Sequence, residues 1–288
     1  MRYNSPQGIT LAQVRINDAL FPFTASPSNV LPRMGQAVVT VEYPWTQASA
    51  YQIALRSPNS TRRTLMPAPL SQAVEDYLKA IYMLAQGKHP VTTTGIAERL
   101  DVAPASVTNM IKRLARLRLV RYTPYHGVEM TEAGQRVALE VIRHHRLLEL
   151  YLSKHLGVSL DRVHGEADRL EHVISEDLEE KIAGALGQPD LDPHGDPIPT
   201  RAGAVTASPA HLLTEGAPGQ RGLIVRVSDR DAKVVKDLTA SGLLPGVVVE
   251  MVATGPRQVD VRVKGRSQRV SAALAGAIYV AFEQVGAA

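Results

Sequence analysis

The sequence predicts an α+β chain with three folded parts: a winged helix-turn-helix domain, an all-helical segment and a small β-barrel. Three observations predict it. An acid-free, arginine-rich run from Val102 to Val128 coincides with two short helices and a hairpin. Apolar residues keep helical spacing from about residue 70 to Leu186, and beyond residue 210 the period switches to two.

Residues 1–68 differ from the rest. Up to residue 65 there is no lysine and there are only two acids, Asp18 and Glu42. The stretch "QAVVTVEYPW" reads as a strand without a partner, so the segment is expected to be an unstructured or mis-assigned extension ahead of a start at Met66. An arginine-bearing, acid-poor leader also fits a transit peptide. Residues 69–134 form the DNA-binding candidate. Ser71 is placed to cap a first helix whose Val74, Tyr77, Leu78, Ile81 and Leu84 share a face. A short helix around Ile96, Ala97 and Leu100, a break at "DVA" and a helix opened by Pro104 give the helix-turn-helix outline. The alternating pieces flanking "PYHG" add the wing.

Residues 135–200 carry a long helix ending at Gly157 and two shorter ones separated by a cap near Ser175. "GQPDLDPHGDPIPTRAGAVTASP" is dense in proline, glycine and aspartate and reads as a linker, with 201–209 as its core. In residues 210–288, "GLIVRVSD", "VVVEMVAT", "VDVRVKG" and "IYVAFEQV" read as short strands of a barrel.

Composition narrows the function classes. At 44% hydrophobic, 288 residues suffice for several cores. Without cysteine there is neither a disulfide nor a thiolate metal site, so any metal is held by nitrogen and oxygen. No apolar run reaches the roughly 18 residues of a membrane span, which leads to the expectation of a cytoplasmic protein. The net charge is +4, yet Asp161 to Glu180 alone carries eight acids. One region suits anions and another suits cations.

The basic region suits duplex DNA. Ala105, Ser106, Thr108 and Asn109 open the second helix of the motif, with Lys112 and Arg113 one turn on. Small and hydrogen-bonding residues at that end read base edges, and the cations anchor phosphates. Arg121, Tyr122, Tyr125 and His126 of the wing face the backbone or minor groove. The bland reading is a solvated basic helix of an interaction domain.

The acidic region suits a cation. His145 and Glu149 stand at i, i+4 on the long helix, while His164, Asp168, Glu171 and His172 share one face of the next predicted helix. A lone histidine is most often structural, and spaced acids are usually a wet face. Six such groups on two successive helices are harder to dismiss, because carboxylates one turn apart repel unless a cation neutralises them. The sulfur-free set favours Mn(II) or Fe(II) over Zn(II) or Cu(I).

"VEDYLKAIYML", "IAERLDVAPASVTNMIKRL", "RHHRLLE", "RVHGEADRLEHVISEDLEEKI" and "PHGDPIP" together resemble the diphtheria toxin repressor family of metalloregulators. "KDLTASGLLPGVVVEMV" resembles the SH3-like domain of its iron-repressor branch, shared with ferrous-transport accessory proteins. The resemblance implies a homodimer that binds palindromic operator DNA when loaded with Mn(II) or Fe(II), with no small-molecule substrate. It assigns Glu171 and His172 to the primary metal site and adds Asp76, which matches an aspartate of the manganese regulators. Asp168 falls where iron repressors carry cysteine and manganese regulators glutamate, which points to manganese. His145, Glu149 and His164 match the ancillary site, and Asp231 is the candidate ligand from the third domain. Lys79 departs from the manganese regulators, which have a glutamate there, so a primary plus ancillary arrangement is expected. A cation shared by Asp76 and the 168–172 cluster would couple metal binding reciprocally to DNA binding. Ile174, Leu178, Ile182 and Leu186 are the dimer-contact candidates, with intramolecular core as the alternative.

Two other classes compete with this reading. A metal-dependent hydrolase would use Glu149 or Glu166 as base, but no hydrolase motif accompanies them. A proline-peptide module would need more aromatics than Tyr279 and Phe282 in the barrel.

Overall fold

The computed structural model describes residues 10–16, 19–24, 38–42, 51–54, 70–86, 90–124, 126–206 and 209–283. Two compact units result, divided at Ala68 and Pro69. In the first, β1 (Thr10–Ile16), β2 (Ala19–Thr24), β3 (Val38–Glu42) and β4 (Tyr51–Ala54) pair antiparallel in the order β2-β1-β3-β4. The strand expected within "QAVVTVEYPW" therefore has two partners, with Val14 opposite Val41 and Val39 opposite Ile53. Local period reveals a strand but not the distant segment that pairs with it. Met66 lies outside the described residues.

The second unit begins with α1 (Gln72–Ala85), α2 (Thr93–Leu100) and α3 (Pro104–Arg116). Ser71 sits at the N-cap of α1, but its side chain makes no capping bond and only its carbonyl serves the helix, accepting from Val74 N at 2.7 Å. Thr92 caps α2 through its side chain, accepting from Gly95 N at 3.1 Å. The break between α2 and α3 turns on Asp101, which adopts φ 52°. Strands β5 (Val120–Thr123) and β6 (Gly127–Met130) form the wing, and Val91 bridges to Val128 beside them. Leu78, Ile81, Ile96, Ile111 and Leu114 are fully buried together. At ~1.5–3 kcal/mol per buried large apolar side chain, these five fix the orientation of α3.

Helix α4 (Glu132–Leu156) starts on the Thr131 side-chain cap and stops at Gly157, φ 68°. It lies against α1 and α5 (Leu160–Leu170), and α6 (Glu176–Ala185) follows with Ser175 capping Leu178 N. Ile182 and Leu186 are buried with Leu147, Leu148 and Ala167, so these two dimer-contact candidates belong to the chain's own core. Ile174 packs against the same core in part, whereas Leu178 is 45% and Val173 75% exposed.

The segment after α6 is not a free linker. Asp192, His194, Asp196 and Ile198 are buried. Arg143 Nη1 donates to Pro199 O at 2.8 Å, and Val227 N donates to His194 O at 2.9 Å. Gly195 adopts φ 89°, and a Cβ there would lie 2.0 Å from Val225 O. Proline and glycine density excludes regular structure, not packing.

The remainder comprises β7 (His211–Leu212), β8 (Arg221–Val227), α7 (Ala232–Ser241), β9 (Val248–Thr254), β10 (Gln258–Val263), β11 (Arg266–Ser271), α8 (Ala272–Ala275) and β12 (Ile278–Phe282). The strands form one antiparallel sheet in the order β11-β10-β9-β8-β12-β7. Ile224, Val249, Met251, Val261 and Ile278 meet Leu213 and Leu238 in its core. Helix α7 interrupts the expected run of strands. Only Val235 and Leu238 of it are buried, too few to announce a helical period. Among the described residues no helix is long and apolar enough to cross a membrane.

Candidate metal centre

Helix α4 packs against both α1 and α5, and α5 packs against α7, so four elements from three domains converge. Helix α5 ends at Leu170, earlier than the sequence suggested. Glu171 is its C-cap and His172 follows in the turn, so the four groups from His164 to His172 do not share one helical face. The early end separates two directions. His164 and Asp168 stay beside α4, while His172 swings toward α1.

Four clusters of possible ligands form among the described residues, and three of them are made mainly of sequence-predicted residues. In the first, His172 Nε2 lies 2.9 Å from Asp76 Oδ1 and 3.2 Å from Glu171 Oε1. Its other nitrogen, Nδ1, lies 2.6 Å from Glu75 Oε2. His172 would hold a metal through Nε2, and the hydrogen on Nδ1 would then donate to Glu75, a carboxylate–histidine pairing that would fix the ring's orientation. Burial raises the Asp76 carboxyl, against the lowering pull of His172. In the second cluster, His145 Nε2, Glu149 Oε1 and His164 Nδ1 are mutually 3.0 Å apart, and Asp229 Oδ2 is 3.4 Å from His164 Nδ1. Burial works against charge on Glu149, yet its bonds to His145 and His164 hold it well below the usual carboxylate range.

The third cluster, His145, Asp168 and Glu171, surrounds an ammonium. Lys79 Nζ donates to Asp168 Oδ1 at 3.0 Å and to Glu171 Oε1 and Oε2 at 3.0 and 2.8 Å, and it lies 3.0 Å from His145 Nδ1. His145 also meets Glu171 Oε2 at 2.5 Å. Burial alone would lower the His145 pKa; its bonds to Asp168, Glu149 and Glu171 lift it well above the usual value. Burial opposes ionisation of Asp168, but the His145 bond and the Lys79 charge hold it far below the usual range. The lysine thus supplies one positive charge where the carboxylates need it.

These groups border a cleft of about 750 Å³ that Asp76, Lys79, His164, Asp168 and Glu171 line. Ligand atoms of each cluster lie within 4.8 Å of one another, near enough for one ion. The donors are imidazole nitrogen and carboxylate oxygen, which suits a hard to borderline divalent metal and fits the site. When bound, the metal would supply the neutralising charge that links α1 to α5.

Asp231, the predicted third-domain ligand, does not join. Its Oδ1 caps α7, accepting from Lys233 N at 2.8 Å and Val234 N at 3.4 Å, and the residue is exposed. Asp229, two residues earlier, is the one that reaches His164. Sequence reading also missed Glu75, whose only signal was its place beside Asp76. It missed Asp192 and His194 as well, which sat in plain view inside the supposed linker.

On the DNA side, Val107, Ile111 and Leu114 face the core, leaving Ala105, Ser106, Asn109, Lys112 and Arg113 exposed. Thr108 is half-buried and its hydroxyl donates to Pro104 O at 3.1 Å. Arg121 and His126 are exposed on the wing; Tyr125 lies outside the described residues.

Comparison with known proteins follows the same divisions. Residues 69–128 match the iron-dependent repressor N-terminal DNA-binding domain. Residues 131–200 match the iron-dependent repressor metal-binding and dimerisation domain, and 211–281 the FeoA domain. The iron-dependent repressor IdeR of Mycobacterium tuberculosis is 32% identical over 208 residues, 62% of this chain and 90% of that protein. The diphtheria toxin repressor of Corynebacterium glutamicum is 36% identical over 130 residues, 45% of this chain and 57% of that protein. Among solved structures, a manganese-dependent transcriptional repressor in complex with manganese superposes with TM-score 0.68 at 34% identity, covering 72% of this chain and 98% of that one. The T. acidophilum IdeR superposes with TM-score 0.62 at 29% identity, covering 77% and 100%.

Proposed function

The chain belongs to the iron-dependent (diphtheria toxin) repressor family of metal-dependent transcriptional repressors, and from that premise we propose that it is a manganese-responsive repressor binding palindromic operator DNA as a homodimer. One observation carries the reading. Asp76 of the DNA-binding domain converges with Glu171 and His172 of the following domain, so a cation there ties the two together. Operator affinity and metal affinity must then rise together, because each ligand prefers the same domain arrangement. In the dimer, two α3 helices matching half-sites about one helical turn apart read the operator.

Hard donors support manganese. Asp168 is 48% exposed at the mouth of the cleft and offers a carboxylate where a thiolate would draw softer ions. Iron is the second reading, supported by the iron-dependent repressors among the relatives. DNA binding titrated with Mn(II), Fe(II) and Zn(II), wild type beside Asp168→Cys, decides between them. The variant should lose preference for Mn(II) relative to Zn(II) by about tenfold or more; an unchanged order of metals removes the argument from ligand hardness. DNA binding that ignores both metal and chelator rejects the regulatory reading itself.

For the dimer contact, Leu178 is the one of the four candidates that is exposed, and with the neighbouring exposed Val173 it forms the proposed contact in place of Ile182 and Leu186. For the DNA contact, Lys112→Ala and Arg113→Ala should each weaken operator and non-operator binding alike. Each should lower the slope of log affinity against log salt by about one, the share of one phosphate contact. Fluorescence anisotropy across salt concentrations measures both. A slope unchanged in either variant removes that side chain from the phosphate contacts.

A further inference from the structure

We propose that the β10–β11 hairpin of the sheet domain is a second DNA-contacting surface, which holds the phosphates of duplex flanking the operator. Arg257, Arg262, Lys264, Arg266 and Arg269 fall in a short stretch that contains one acid, Asp260. That excess of positive charge equals the net charge of the whole chain, +4, so the rest of the sequence is balanced. All five cations are exposed. Arg262 pairs across the strands with Glu250 at 2.6 Å, and Arg269 approaches Asp260 at 3.4 Å. Among the described residues Arg257, Lys264 and Arg266 form no ion pair, which leaves three cations available to an outside partner.

The turn presents two of them at the hairpin's tip. Val263 pairs with Arg266, so Lys264 and Gly265 alone make the turn, at φ 50° and 80°. Positive φ at both central residues matches the twist of the flanking strands, which makes a tight, well-defined hairpin. Every residue of β10 pairs with β11, and Val259, Val261 and Val270 are buried beneath them. The backbone under Lys264 and Arg266 is therefore ordered before any partner arrives. Strand β11 closes one edge of the sheet. Charge on an edge strand discourages pairing with other strands, but a single lysine is enough for that, and three unpaired cations ask for a polyanion.

Duplex DNA is the polyanion within reach. Helix α5 packs against α7, and the cleft beside them is lined both by Gly95, Glu98 and Arg99 of α2 and by Arg230, just ahead of α7. The sheet domain therefore sits beside the first helix of the helix-turn-helix, the one that crosses the DNA backbone in such motifs. A domain of roughly 70 residues has a radius of gyration of about 11 Å and so spans about 30 Å. That keeps the hairpin closer to α2 than one helical turn of duplex, ~34 Å, and brings the flank of the half-site within its range. Phosphates repeat along every sequence, so the contact adds affinity without reading bases.

The choice of DNA rests on the repressor reading above, while the contact stands or falls separately. A palindromic duplex that the full-length protein selects from random sequence in Mn(II) is prepared in two lengths, cut at the palindrome or extended by one helical turn of random sequence on each side. Fluorescence anisotropy across salt concentrations then measures binding to both. Wild type should bind the longer duplex more tightly, with a slope of log affinity against log salt steeper by about two for each chain bound. Lys264→Asn combined with Arg266→Gln should lose that gain and match the wild type on the shorter duplex. Asparagine before glycine suits the turn, so the hairpin survives the change. Lys264→Arg combined with Arg266→Lys keeps both charges and should keep the gain. A neutral variant that retains the gain, or a wild type indifferent to flank length, overturns the proposal. Binding that ignores metal while the flank effect still requires the two charges would instead reject the repressor mechanism and leave this contact standing.

Discussion

Glu171→Gln should abolish metal-dependent operator binding, with Mn(II) affinity at its cluster falling by at least about 100-fold. Glu171 is 1% exposed and belongs to two clusters at once, touching His172 at 3.2 Å, His145 at 2.5 Å and Lys79 at 2.8 Å. Losing a partner beyond the ligand shell already costs 10–100-fold in metal affinity, so losing a ligand costs more. Glutamine keeps the shape but not the charge, and it cannot neutralise a divalent cation. DNA affinity falls with metal affinity because the two are linked. Gel shifts and Mn(II) titration measure the two separately, with circular dichroism as the check on folding. A variant that still binds operator only with Mn(II), at wild-type concentration, removes Glu171 from the primary site.

How much of this was legible in the sequence follows from the range of each interaction. Helix α4 was readable because its period and its Gly157 stop are both local. The winged helix was readable for the same reason. His145 and Glu149 were findable at i, i+4, and His164 and Asp168 one turn apart, since helical spacing alone sets them side by side. Non-local pairings were not readable. Nothing near Asp229 says that it meets His164 while Asp231 turns to cap α7, because that depends on how α7 docks against α5. His194 was hidden by composition: a segment rich in proline reads as a spacer until its neighbours show it buried. Lys79 was noticed as a departure from a pattern, but its role needed three helices in place.

That role yields the second large effect. Lys79→Met should destabilise the metal-free protein and strengthen its response to metal. The ammonium lies within 3.0 Å of Asp168 and Glu171 and crosses from α1 to α5, the same span that a bound cation would bridge. It is a tethered monovalent substitute for part of the metal's charge. Removing one partner of a fully buried ion pair costs about 3–5 kcal/mol. Lys79 is 18% and Asp168 48% exposed, so solvent screening brings the expected loss to about 2 kcal/mol. With the ammonium gone, the carboxylates repel one another and a divalent ion relieves more repulsion than in the wild type. Repulsion between the ammonium and the incoming metal also disappears. Both effects have the same sign, so the rise in melting temperature on adding Mn(II) should be larger in the variant, and Mn(II) affinity should increase by about tenfold or more. Thermal unfolding with and without Mn(II) reads the first, and titration the second. If the variant instead binds Mn(II) more weakly, the lysine organises the ligands and does not compete for them. The outcome fixes whether α1 and α5 are held together before metal arrives, and therefore how much of the operator-binding arrangement the metal has left to select.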